Sequence, residues 1–158
     1  MNLNTYTLFP SEDLTVFHFV STGSKGQIRK IIRYMPTLNP KVYNLGLADV
    51  LYIDGNEDVF TVDDQTASDN GDIDKLVGTV ARSLLLFSQH YPDVFVVFGS
   101  INPVKMRLYR IIVQKYYDEL SKTFILFVAK RQDDGKIVNV PFYFNANVDG
   151  FFIKLKSF

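Results

Sequence analysis

An α+β fold with a mostly antiparallel sheet and two main helices is what this chain predicts, and three observations carry that reading. Apolar runs rich in Phe, Tyr, Val and Ile occupy both ends of the chain and are separated by Gly, Asn and Asp turn signals, as strands and hairpins require. Between them Ile73, Leu76, Val77, Val80, Ala81, Leu84 and Phe87 recur at steps of three and four, the spacing of one helix face. A second arc of that period follows Asn102, a favoured N-cap, and Pro103, the residue type preferred at the first helical position.

The elements then follow in order. LTVFHFVS (14–21) is apolar at odd and even positions alike, which predicts a strand covered on both faces. TGSKG turns the chain into a strand over 27–35, and the breaker TLNP leads to another over 41–48, so the first third reads as an antiparallel meander. Residues 49–71 are acidic and turn-rich, a long loop or edge hairpin with at most one short strand near VFTV. The first helix ends near His90, and DVFVVFGS (93–100) is a short buried strand. The second helix spans 103–120, with Arg107, Arg110, Gln114 and Asp118 on its narrow polar arc. Strands at 123–130 and 137–144 flank a DDGK turn, and FFIKLK adds one more.

Three strands, helix, strand, helix, strand is the order of ribonuclease H-like folds, whose nucleases hold metal on carboxylates at strand ends. Here the first strand offers His18 and the fourth ends at Ser100, so the carboxylates are missing where that chemistry needs them.

The 158 residues suffice for one domain that buries about 70% of its unfolded surface, so a core forms without covalent staples. With no Cys, disulfides, thiolate metal sites and Cys nucleophiles are excluded, and a reducing, cytoplasmic setting is expected. The N-terminus carries no secretory pattern, and no segment reaches the roughly 18 uninterrupted apolar residues of a membrane span. Net charge is zero but unevenly laid out: nine acids and no base between Asp49 and Asp74, five bases and no acid between Thr22 and Lys41.

Four constellations bear on function. At the start of the second helix, Gly99, Ser100 and Asn102 would present unpaired N–H groups, and Arg107 and Arg110, three apart, would grip phosphate or carboxylate. The competing reading pairs those arginines with acids of 49–74 or with Asp118, and ion pairs outnumber ligand sites. The hairpin around Lys25, Arg29, Lys30 and Arg33 suits a nucleic-acid backbone with Tyr34 beside it, or equally the charged protection of a sheet edge or ion pairing. VDDQTASDNGDID fails the calcium-loop spacing, and its DNGD reads better as a turn capping the first helix, with Asp72 and Asp74 complementing the dipole. His18 and His90 have no Ser-Asp setting, and neither G-x-S-x-G nor H-E-x-x-H occurs, which disfavours hydrolase chemistry of those types.

FHFVSTGSKGQIRK, VYNLGLAD, SDNGDIDKLVGTVA and the GS-to-RLYR stretch, in that order over nearly the whole chain, resemble a bacterial family of unknown function found mainly in Bacteroidetes. In that family YNLGFGD is usual, and this sequence departs from it at Leu47 and Ala48. The resemblance implies that the SDNGD and GS-to-RLYR turns are family features, and it brings no activity with it.

The functional expectation is a non-catalytic binding domain for an anionic partner, nucleic acid or an acidic protein segment. Its contacts would be Ser100, Asn102, Arg107, Arg110, Lys25 and Arg29, with no cofactor, metal or membrane. Two alternatives stand beside it. One is a metal-assisted phosphodiesterase or nuclease using acids of 49–74, to be tested at Asp69 and Asp72; the other is half of a two-gene interaction module, met through strand edges or Phe151 and Phe152.

Overall fold

Alternation of buried and open residues along β2 (Val16–Gly23) sets the architecture: Phe17, Phe19 and Ser21 are buried, while Val16, His18 and Val20 stay half-open. The face of β2 that meets the helices is thus fully enclosed and the other only partly, which narrows the expectation of a strand covered on both faces. The computed structural model describes residues 4–53, 60–63, 70–99, 103–142 and 148–156, the backbone alone for 51–53 and 60–63.

β1 (Phe9–Pro10) pairs briefly with β2, which turns through Ser24 and Lys25 into β3 (Gly26–Pro36), and β3 is followed by β4 (Val42–Ile53). Gly26 supplies the left-handed φ of +84° that closes this hairpin. β5 (Phe60–Asp63) returns along the far end of β4, so the acidic segment does contain an edge hairpin near VFTV. α1 (Ile73–His90) and β6 (Phe95–Phe98) follow, then α2 (Pro103–Lys115), α3 (Tyr117–Thr123), β7 (Phe124–Arg131), β8 (Ile137–Pro141) and β9 (Gly150–Leu155).

The strands form one sheet in the order β1-β2-β3-β4-β6-β9-β7-β8, with β5 also on β4. Every pairing is antiparallel except β4 with β6. The likeness to a ribonuclease H-like order stops at the succession of elements. The strand after α1 lies beside the last strand of the meander, and the strands after α2 return antiparallel. β9 is inserted between β6 and β7, so Phe151 is buried and Phe152 stacks on Phe95 with centroids 4.7 Å apart. Of the contacts the interaction-module reading offered, strand edges or Phe151 and Phe152, Phe151 thus lies in the core and Phe152 is half-buried.

The core lies between this sheet and the helices. Phe17, Phe19, Ile32, Tyr34, Leu45 and Leu47 meet Leu76, Val77, Val80, Leu84 and Phe87 of α1 and Met106, Tyr109, Ile112 and Val113 of α2. Tyr34 stacks on Phe87 at 4.1 Å and shares a buried hydrogen bond with Ser83 of 2.8 Å. That places Tyr34 in the core, not on a nucleic-acid-facing surface.

The predicted helix over 103–120 is broken. Tyr116, with φ −106° and ψ 14°, leaves helical geometry, and α3 begins anew so that Leu120 enters the core and Tyr117 stacks on Phe142. Among the described residues no helix is long and apolar enough to cross a membrane.

Candidate functional site

On one side of β4 the described strand pairings leave an interval. β3 lies along one side, and Asp49 pairs with both Lys30 of β3 and Asp63 of β5, so β5 must occupy the other side. β6 shares that side but pairs only with Val42, Tyr43 and Asn44. Residues 45–48 pair with β3, but on the side of β5 and β6 no described strand pairs with them.

Leu47, in the middle of this gap, is met by α2. Its carbonyl accepts a 2.7 Å hydrogen bond from Lys105 Nζ. Burial pushes the Tyr109 phenol up to about 12, with a backbone hydrogen bond at Leu47 working the other way. Lys105 and Tyr109 are four apart, hence on one helix face. Lys105 is 6% exposed and sits in the first turn of α2, where the helix dipole opposes a cation. Its ammonium is held on the backbone of β4 by the bond to the Leu47 carbonyl, as a buried cation requires.

Beside the gap lies a cavity of about 350 Å³. Its floor is the β3–β4 ladder at Lys30, Leu47, Ala48 and Asp49. One wall is the turn Asn70–Asp72 with Ile73 and Leu76 of α1; the other is the face Val104, Arg107, Leu108 and Ile111 of α2. Lys30, 4% exposed, donates to Asp49 Oδ1 at 2.6 Å directly across the ladder. Lys30 shares the inward parity of Ile32 and Tyr34, so its amine stands among the helix-facing residues of β3.

The wall at 70–72 is locked from behind. Asn70, buried, accepts the Lys25 N–H on Oδ1 at 2.6 Å and donates through Nδ2 to Ser21 Oγ and the Gly26 carbonyl at 3.1 and 3.0 Å. Its own carbonyl accepts the Ser24 N–H at 3.0 Å. Asp72 Oδ2 accepts from Tyr6 OH at 2.6 Å and Ser21 Oγ at 2.5 Å. Burial, and next the bond to Asp72, raise the Tyr6 hydroxyl above its ordinary value. Asp72 stands at the N-cap of α1, where its carboxylate complements the dipole as expected, while its side chain turns to Tyr6 and Ser21 and makes no capping hydrogen bond. The other acid, Asp74, sits in the first turn as expected and pairs with Lys115 of α2 at 2.7 Å.

The predicted contacts are dispersed by the fold. Arg107 is exposed and lines the cavity. Arg110 is half-buried, does not line it, and holds a buried Nε without a hydrogen-bond partner. Among the described residues no carboxylate pairs with either arginine. Lys25 is exposed at the hairpin turn, and Arg29 is exposed on the sheet face away from the helices, beside His18. Ser100 and Asn102 lie outside the described residues, as does Asp69. Gly99 packs closely: a Cβ there would lie 2.6 Å from the Asp149 carbonyl. The edge-protection reading of 27–35 is corrected, because β3 is interior to the sheet, whereas its ion-pair alternative holds for Lys30.

Sequence reasoning missed Lys105 and Asn70 as parts of a site, and met Asp49 only as one of the acids of 49–74. A signal existed for the first: Lys105, Leu108, Tyr109 and Ile112 are spaced as one buried stripe.

A family model described as a family of unknown function, DUF6934, matches residues 2–156. The chain belongs to that family. No curated protein and no solved structure matches it. Within this member of DUF6934, the stretches FHFVSTGSKGQIRK, VYNLGLAD and SDNGDIDKLVGTVA meet at the cavity through Ser21, Lys30, Asp49, Asn70 and Asp72, and RLYR brings Arg107 to its rim.

Proposed function

We propose that this protein is a binding domain whose cleft between the first turn of α1 and α2 receives the anionic group of a partner molecule, with Arg107 as the contact at the mouth. One observation carries the reading: Arg107 is exposed, borders the cavity, and has no carboxylate partner among the described residues. A guanidinium so placed offers a planar pair of donors to a carboxylate or phosphate. Lys105 and Lys30 behind it keep the local potential positive where Asp49 and Asp72 would otherwise repel an anion.

The extended nucleic-acid version has less support. Arg29 projects from the opposite sheet face, so a strand lying along Arg107 does not also meet Arg29. Of the acids of 49–74 on which the nuclease reading rests, Asp54, Glu57, Asp58, Asp64 and Asp69 lie outside the described residues, and the carboxylates of Asp49, Asp72 and Asp74 are engaged by Lys30, by Tyr6 and Ser21, and by Lys115. Among the described residues no three acids or histidines gather as a metal site requires.

Thermal-shift titration of the full chain with acetate, phosphate and a short single-stranded RNA at low and high salt tests the reading. At least one anion should raise the melting temperature in the parent and in Arg29→Gln, and fail to do so in Arg107→Gln. Equal shifts in Arg107→Gln and the parent, or no shift with any anion, would overturn it.

A further inference from the structure

We infer that the occupant of this cleft is a monoanion on an apolar body, an aliphatic or aromatic carboxylate, in preference to a polyphosphate or a nucleic-acid backbone. The inference rests on the anion-binding reading above and sharpens it.

Charge comes first. Among the described lining residues three cations, Lys30, Lys105 and Arg107, face two carboxylates, Asp49 and Asp72, which leaves one positive charge. Lys30 is spent on Asp49 at 2.6 Å, Lys105 is held on the Leu47 carbonyl, and Asp72 is engaged by Tyr6 and Ser21. Arg107, alone at the rim, is the surplus. A ligand with two or more adjacent negative charges would hold the second against Asp49 or Asp72, where like charges repel at low dielectric.

Shape and polarity come second. Ile73 is 49% exposed and Val104 is 59% exposed, two large apolar side chains at the mouth on opposite walls. Leu76, Leu108 and Ile111 continue that lining inward from them. A wholly polar anion would leave Ile73 and Val104 in water. A hydrocarbon chain or ring between them removes that surface, and each methylene so buried strengthens binding by about fourfold. The volume of about 350 Å³ falls at the small end of sites that hold small molecules. Apolar walls with a few placed polar groups are the usual construction of such sites.

Isothermal titration of the full chain with four probes decides the matter: octanoate, octanol with the same tail and no charge, acetate with the charge and no tail, and ATP. Octanoate should bind about a hundredfold or more tighter than acetate and tighter than ATP. Arg107→Gln should weaken octanoate about tenfold and leave octanol unchanged, whereas Val104→Ser, at an exposed position, should weaken both. Circular dichroism confirms that each variant is folded. Acetate or ATP binding as tightly as octanoate, in an Arg107-dependent way, overturns this inference and leaves the anion site standing. Absence of binding by all four probes, or indifference of every probe to Arg107→Gln, overturns both.

Discussion

Asn70 uses both ends of its amide, and its own carbonyl, to fasten the β2–β3 hairpin to the start of α1. Replacing it by Ala leaves Lys25 N–H and Gly26 C=O without their partner, so urea denaturation should show a loss of about 2–4 kcal/mol. The same fastening explains Gly23: a Cβ there would lie 1.8 Å from the Asn70 carbonyl oxygen, backbone against backbone. Gly23→Ala should lower stability by more than about 2 kcal/mol, read in the same way. His18 gives a pH signature. Burial, and next Arg29, hold its imidazole below the ordinary 6.5, so the unfolded chain takes up the proton first. Its contribution is complete above pH 6.5 and is lost as pH falls from there through the folded-state value. His18→Gln should flatten that part of the stability curve, as denaturant midpoints from pH 7 to 5 would reveal. A curve equally steep in the variant would assign the acid sensitivity to other groups. At this scale the sequence was only half legible. Lys30 lies on the inward parity of its strand and Lys105 in the buried stripe of its helix, but both were masked by the prior that lysine faces water.

Whole elements were more readable, because periodicity survives where single side chains mislead. α1 begins and ends where its apolar spacing predicts, from Ile73 to His90. The three-strand meander, the β7–β8 hairpin and β9 also stand close to their predicted positions. What failed were features decided by neighbours: the break at Tyr116, the interior place of β3, and the insertion of β9 between β6 and β7. No local propensity encodes which strand a later strand will choose. The β3–β4 ladder offers a test at this scale, since Lys30 and Asp49 are opposite each other in register. Lys30→Met alone strands a largely buried carboxylate and should cost about 3–5 kcal/mol. Adding Asp49→Leu should return most of that loss, because two apolar residues of similar length fill the space without a charge to desolvate. A double variant no more stable than the single one would mean that the pair matters for reasons other than its charge.

Across the whole molecule, membership of DUF6934 covers almost the entire chain, and the stretches that carried the resemblance converge on one cleft. The sheet itself is joined there by little. β1 to β5 on one side and β6 to β9 on the other meet along a parallel seam of three residue pairs, Val42 with Phe95, Tyr43 with Val96 and Asn44 with Val97. Beyond that seam, α2 is tied to β4 by the hydrogen bond from Lys105 to the Leu47 carbonyl. A molecule wedged beside them would act as a splint between two half-sheets. Octanoate should therefore slow hydrogen exchange at amides of β6 and the first turns of α2 more than at the β2–β3 hairpin, which is already fastened from within. The parallel seam that joins the two half-sheets and the place a guest would grip are then neighbours along β4.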